Sequence, residues 1–169
     1  MEIYTPREDS FLLKKVMINY ITKNNPRKLL DMGSGSGILA NTALNLGVKR
    51  VVASDINKKA LEKIKLKNPK IVCVYSNLFE NINEKFNIIV FNTPYLPMDD
   101  DESLLDPIWS GGRSFIDNFL LQSKNFLESK GIVLFTYSSK DPIKTSHIIE
   151  DKVTFEDGET VFVGKLIIN

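Results

Sequence analysis

Lys28-Leu29-Leu30-Asp31-Met32-Gly33-Ser34-Gly35-Ser36-Gly37-Ile38 decides the fold class. The apolar run Lys28 to Met32 is short enough for a buried strand. Three glycines at alternate positions then make a turn, and a helical pattern follows from Ile38 to Leu46. Strand, glycine-rich turn and helix together form a cradle for a nucleotide-like ligand. The glycines let backbone approach the ligand, and the first amides of the helix point at it. The dinucleotide fingerprint does not fit, because Ile38 stands where its third glycine belongs, and the phosphate-loop lysine is missing. The spacing is Asp-x-Gly-x-Gly-x-Gly instead, from Asp31 through Gly33 and Gly35 to Gly37.

Downstream, Arg50 to Ser54 reads as the next strand and ends in Asp55. An acid about 20 positions after the first glycine can accept hydrogen bonds from both hydroxyls of a ribose. Asn57 caps a helix that turns Ala60, Leu61 and Ile64 inward. The lysines of that helix (Lys58, Lys59, Lys63, Lys65, Lys67) have the spacing of a solvated face. Lys70 to Tyr75 is a third strand leading to Ser76-Asn77-Leu78, and Phe86 to Phe91 is a fourth.

The fourth strand stops abruptly at Asn92-Thr93-Pro94-Tyr95. Pro94 lacks a backbone donor, so the strand ends there as a central one. A side-chain amide, backbone carbonyls and an aromatic ring are left at a strand's carboxyl end, where open α/β sheets bind ligands. A planar NH2 group can lie against Tyr95, donating to the Asn92 side-chain oxygen and to the Thr93 carbonyl. That arrangement receives an amide or an aromatic amine.

Working back, Thr5-Pro6-Arg7-Glu8 has capping-box spacing, and Phe11, Leu12, Val16, Met17, Tyr20 and Ile21 continue as an amphipathic helix to about Asn25. Working forward, Leu96 to Gly112 is irregular and holds the acidic run Asp99 to Glu102. The spacing from Phe115 to Leu127 predicts one long helix stopping at Gly131. Ile132 to Tyr137 is a fifth strand, Asp141-Pro142 starts a short helix carrying a structural His147, and Lys152 to Ile168 is a hairpin across Asp157-Gly158. Five alternations of strand and helix with a closing hairpin imply a mainly parallel sheet with one antiparallel strand near an edge.

Composition bounds the function. The chain has 169 residues, room for one core, so residues 1–169 are expected to form one domain. With 43% hydrophobic and 25% charged residues it reads as a soluble globular protein. A net charge of +1 argues against a phosphate-binding nucleic-acid face. The single Cys73 and single His147 argue against a disulfide framework, a metal site and a Ser-His-Asp mechanism. No apolar stretch suits a membrane span and no signal sequence is recognised, so a cytoplasmic location is expected.

With these motifs in hand, the chain resembles S-adenosylmethionine-dependent methyltransferases of class I, whose fold is a seven-stranded, mostly parallel sheet with one antiparallel strand and helices on both faces. Asp31 to Gly37 resembles their cofactor turn. Asn92-Thr93-Pro94-Tyr95 resembles the Asn-Pro-Pro-Tyr motif of enzymes that methylate planar amide or amine nitrogens. Tyr4-Thr5-Pro6-Arg7-Glu8-Asp9-Ser10-Phe11-Leu12-Leu13, Ser54-Asp55-Ile56-Asn57 and Trp109-Ser110-Gly111-Gly112-Arg113 narrow the resemblance to the HemK family. Its eukaryotic and archaeal branch methylates the glutamine of the Gly-Gly-Gln loop in class 1 release factors.

The resemblance implies S-adenosylmethionine contacts at Ser10, Asp31, Gly33, Gly35, Asp55, Asn77 and Leu78, and amide recognition by Asn92, Thr93, Pro94 and Tyr95. Residues 1–25 would serve as a helical lid over the cofactor. Thr93 replaces a proline of the motif but still supplies the carbonyl, so activity should survive with some loss of rigidity. Asn77 replaces an aspartate and accepts a weaker, neutral hydrogen bond. The branch works with a small zinc-binding activator paired to the sheet edge. Here Lys70 to Tyr75 is apolar, and a partner strand would cover it. Three other activities share some of these features: an adenine-N6 methyltransferase on DNA or RNA, a protein lysine methyltransferase, and a non-catalytic binding module.

Overall fold

The central strands are continuous apolar runs buried on both faces, and the helices carry apolar residues at three- and four-residue steps. The computed structural model describes residues 3–95 and 112–167. In chain order the elements are α1 (Glu8–Asn24), β1 (Lys28–Met32), α2 (Ile38–Asn45), β2 (Arg50–Asp55), α3 (Lys58–Lys67), β3 (Val72–Tyr75), β4 (Phe86–Phe91), α4 (Gly112–Ser123), β5 (Leu127–Ser138), β6 (Ile148–Thr154) and β7 (Thr160–Ile167). The expected irregular segment from Leu96 on, with Asp99 to Glu102, Trp109, Ser110 and Gly111, lies outside the described residues.

One seven-stranded sheet runs in the order β3-β2-β1-β4-β5-β7-β6. Strands β3, β2, β1, β4 and β5 are parallel neighbours, and β7 is antiparallel to both β5 and β6. This is the expected sheet, with its single antiparallel strand next to an edge. Alternation sorts the core into two layers. Leu29, Ile88, Val90, Ile132 and Leu134 face α1, α2 and α3. Leu30, Ile89, Phe91, Val133 and Phe135 face α4. Burying a phenylalanine such as Phe86 or Phe119 fully makes its loss worth about 3–5 kcal/mol.

Strand order reverses between β1 and β4, with Met32 beside Phe91. A doubly wound sheet opens a crevice at such a switch point. The glycine turn and the Asn92 to Tyr95 segment therefore leave adjacent strands at the same end of the sheet.

Four local expectations are corrected. Helix α1 starts at Glu8, after an extended Arg7 with no side-chain cap, so Thr5 does not form the capping box. The Asp9 carboxylate accepts from the Ser10 amide within the first turn instead, at 2.6 Å. The long helix expected to reach Gly131 ends at Ser123, whose buried hydroxyl donates back to the Leu120 carbonyl at 2.8 Å. Such a bond competes with the helix ladder. Leu127, which the spacing placed in that helix, begins β5 beside Phe86, and an irregularity between Phe86 and Ile88 absorbs the extra residues.

No helix forms around His147, and β6 starts directly after it. Asp117 on α4 takes the amides of Lys144 and Thr145 and the Thr145 hydroxyl, so these donors never close a helical turn. His147 is structural, as expected: its ring contacts the Tyr137 hydroxyl at 2.8 Å and the Thr145 carbonyl at 2.7 Å. A carbonyl only accepts, so Nδ1 carries the proton and Tyr137 donates to Nε2. The hairpin forms, but its turn is longer than two residues: Phe155 donates to Glu159 and Gly158 to Phe155.

Candidate active site

The cradle is built by buried carboxylates and close-packed glycines. Asp31, 1% exposed at the end of β1, accepts from the Ala40 amide at 2.9 Å and so ties the strand to the first turn of α2. Gly33 has φ +58, and a Cβ there would lie 2.7 Å from Phe91 Cε2. Gly37 has φ +73, and a Cβ there would lie 2.6 Å from Ile64 Cγ1. Both positions demand glycine twice over, by conformation and by space. The Ser34 amide and hydroxyl both donate to the Ser54 carbonyl, anchoring the turn to β2.

Asp55 completes the cradle. One carboxylate oxygen accepts from the Gly35 amide and the other from the Asn57 amide, each at 2.8 Å. Each oxygen keeps a further lone pair for a ligand hydroxyl. Burial pushes the Asp31 carboxyl up to about 8; the Ala40 amide opposes this rise and the Asp55 charge adds to it. One strand further out, exposed Asn77 donates its amide hydrogen to Glu80, leaving its oxygen as the acceptor the sequence reading requires. Leu78 follows with φ +47, in a turn held by the Ser76 hydroxyl.

On the other side of the switch point, Asn92 is held at both ends. Its Nδ2 donates to Asp9 and to Ser10 Oγ, each at 3.1 Å. Its Oδ1 accepts from the Thr136 hydroxyl at 2.9 Å. The Thr93 carbonyl accepts from the Tyr95 amide at 2.9 Å, a tight turn around Pro94. This is a turn bond and not a sheet-ladder bond. The Thr93 carbonyl and Asn92 Oδ1 thus each accept one hydrogen bond and retain one lone pair for an NH2 group.

Asp9 is the hub. It is 4% exposed and accepts from Tyr4, Ser10, Asn92 and Tyr95. Burial first, then the Asp9 charge, push the Tyr95 hydroxyl well above its ordinary value, so it stays protonated. Tyr4 is raised for the same two reasons. The first turn of α1 thus packs a negative charge behind the Asn92 amide and fixes the Tyr95 ring.

The cradle lies at the carboxyl ends of β1 and β2, next to the Asn92 to Tyr95 segment at the end of β4. The model of the methyltransferase small domain matches residues 13–161. The chain belongs to this family. A Methanocaldococcus jannaschii protein named as a protein N5-glutamine methyltransferase is 38% identical over 148 residues, covering 82% of this chain and 73% of the relative. A release factor glutamine methyltransferase of Buchnera aphidicola subsp. Schizaphis graminum is 28% identical, covering 86% of this chain and 58% of the relative. The chain thus spans under two thirds of the bacterial relative's length. Among solved structures, the ribosomal protein L11 methylase of Lactobacillus delbrueckii subsp. bulgaricus superposes with a TM-score of 0.68 at 19% identity, covering 96% of this chain and 80% of that one.

In this methyltransferase, Gly35 is hydrogen-bonded to Asp55, with Asp31 and Gly33 on the same turn, and Ser10, Asn92, Thr93, Pro94 and Tyr95 form a second group beside them. Asn77 and Leu78 stand apart, at the end of β3. Sequence reasoning missed Tyr4, Asp9 and Thr136 as site residues. Asp9 lay inside a quoted motif but read as an ordinary acid at a helix start. Thr136 carried no signal at all, since a threonine inside an apolar strand reads as filler.

Proposed function

We propose that this chain is an S-adenosylmethionine-dependent methyltransferase that methylates the side-chain nitrogen of glutamine in the Gly-Gly-Gln motif of a peptide chain release factor, and so acts in translation termination. The single observation that carries this reading is the pair of acceptors at the end of β4, Asn92 Oδ1 and the Thr93 carbonyl, flanked by Tyr95 and adjoining the glycine cradle. The names of the most similar relatives point the same way.

The residues present fit the cofactor. Gly33 and Gly37, where a Cβ would meet Phe91 and Ile64, hold the turn close against β4 and α3, with the Asp55 carboxylate bonded to its Gly35 amide. Asp55 has lone pairs for ribose hydroxyls, Asn77 an acceptor for an adenine amine, and Asp31, Ser10 and Leu78 complete the contacts. When bound, the cofactor supplies a methyl group on a positively charged sulfur. Residues 1–25, with α1, act as its cover.

An amide nitrogen is a poor nucleophile because its lone pair is delocalised. Asn92 and the Thr93 carbonyl hold the two substrate protons and so turn the nitrogen's lone pair toward the cradle, while Tyr95 fixes the amide plane. Good positioning supplies about 7–11 kcal/mol of a barrier. Asp9, one hydrogen bond behind Asn92, makes Oδ1 a stronger acceptor through the amide.

The edge strand fits a small zinc-binding activator as partner. Strand β3 ends the sheet, its Val72, Cys73 and Val74 are only half-buried, and Tyr75 is 51% exposed. A groove of 270 Å³ lined by Arg50, Val52, Val72, Val74 and Ile82 adjoins it. Among the described residues no helix is long and apolar enough to cross a membrane, and a cytoplasmic location suits such a substrate.

The test uses tritiated S-adenosylmethionine with the chain co-expressed with the activator. Substrates are the release factor, its Gln→Ala form, a DNA and an RNA. Label on the intact release factor alone is expected. Label on nucleic acid moves the assignment to adenine, and equal label on the Gln→Ala form excludes glutamine.

A further inference from the structure

Thr136 is fully buried on β5, and Thr93 is 4% exposed in the turn after β4. The two residues are bonded in both directions. The Thr93 amide donates to Thr136 Oγ1 at 3.0 Å, and Thr93 Oγ1 donates to the Thr136 carbonyl at 2.6 Å. The proton of the Thr136 hydroxyl goes to Asn92 Oδ1 at 2.9 Å. We infer that Thr136 is a positioning residue for the methyl-acceptor amide: with Thr93 it forms a clamp that aims Asn92 Oδ1 and the Thr93 carbonyl together. This inference rests on the glutamine-methylation reading of the site.

The argument runs through the orientation of one amide. An Asp9 carboxylate oxygen accepts from Asn92 Nδ2 at 3.1 Å and so fixes that end of the amide. A flipped amide would set Oδ1 against that carboxylate. Thr136 fixes the other end, because its oxygen is already occupied by the Thr93 amide and its proton is free to go to Oδ1. The second acceptor, the Thr93 carbonyl, belongs to a residue whose amide and hydroxyl are both bonded to Thr136. One hydroxyl on β5 therefore sets both acceptors. A proline at position 93 would reach rigidity through its ring and could make neither bond. The clamp explains how threonine serves at this position.

The test uses the co-expressed complex in four forms: wild type, Thr136→Val, Thr136→Ser and Asn92→Ala. Valine keeps the shape and removes the hydroxyl. A displacement of about 1 Å can cost a hundredfold in rate, so Thr136→Val is expected to lose about tenfold or more in kcat, with cofactor Kd and KM within twofold. Thr136→Ser, which restores the hydroxyl, should return within about threefold of wild type. A purely structural role would leave kcat intact in folded protein. Wild-type kcat in folded Thr136→Val, or a serine variant as slow as valine, overturns the clamp. If Thr136→Val does not fold, Thr136→Ala decides: it also removes the hydroxyl that holds the Thr93 amide and Asn92 Oδ1, and kcat within twofold of wild type overturns the proposal. Asn92→Ala separates the two levels. Turnover within tenfold of wild type there refutes the site reading itself, whereas a dead Asn92→Ala beside a fully active Thr136→Val refutes the clamp alone.

Discussion

Replacing Asp31 by asparagine should make the stability of the protein less sensitive to pH. The carboxyl is pushed from its ordinary 3.8 up to about 8 by burial, with the Asp55 charge adding to the rise. Between those values the folded chain holds a proton that the unfolded chain has released. Unfolding then releases one proton, so stability falls as pH rises, by up to about 1.4 kcal/mol per pH unit for one proton. The stabilisation is complete below about pH 4 and exhausted above about pH 8. Asparagine has the shape of the protonated acid, can still accept from the Ala40 amide, and does not titrate. Between pH 5 and pH 7 the wild type should therefore lose about 3 kcal/mol relative to Asp31→Asn. Urea denaturation of both proteins at half-unit pH steps reads this directly, because contributions from other groups cancel in the difference. Two parallel stability curves from pH 5 to 7 would refute the reasoning and mean that Asp31 is ionised in its buried position.

Three further outcomes follow from the same geometry. Asp55→Ala removes the acceptor of the Gly35 and Asn57 amides, so calorimetry should find cofactor affinity at least about tenfold weaker, as expected for a lost charged hydrogen bond; unchanged affinity would remove Asp55 from the cofactor site. Gly33→Ala meets Phe91 Cε2 at 2.7 Å in a left-handed conformation, and should cost about 2 kcal/mol or more in denaturant unfolding; a neutral result would mean the turn relaxes freely. Asp9→Asn withdraws the charge that Tyr4, Asn92 and Tyr95 bond to, so kcat should fall about tenfold or more at unchanged cofactor affinity; wild-type turnover would show the charge to be dispensable.

Sheet and cradle were legible because their determinants are local. A strand ending in a glycine turn, an acid at the end of the next strand and a proline that stops β4 each leave a mark within a few residues. Asn57 as a helix cap and the ends of β1 and β4 fall where the pattern puts them. The failures share another cause. The end of α4, the segment before His147 and the start of α1 are all decided by bonds to distant or buried groups: β4 pairing with Leu127, Asp117 capturing the Lys144 and Thr145 amides, and Asp9 buried against Asn92. No window of local sequence contains those partners. Thr136 fails for the same reason, since its importance lies in two residues more than forty positions earlier.

Three carboxylates, Asp9, Asp31 and Asp55, are each less than 10% exposed and lie at one end of the sheet. Among the described residues, the ion pairs of this chain, such as Arg50 with Glu84 and Lys140 with Glu159, do not include them. Burying unpaired charge is expensive, and the molecule limits the cost in two different ways. Asp9 and Asp55 are surrounded by hydroxyl and amide donors, while Asp31, with a single amide, gives up its charge at neutral pH. A structural core would have no reason to accept this arrangement. A site for a positively charged ligand would, because the Asp9 and Asp55 carboxylates attract such a ligand, while Asp31 holds the cradle together through the Ala40 amide. The end of the sheet that folds least comfortably alone is thus the end best matched to a sulfonium cofactor and its acceptor.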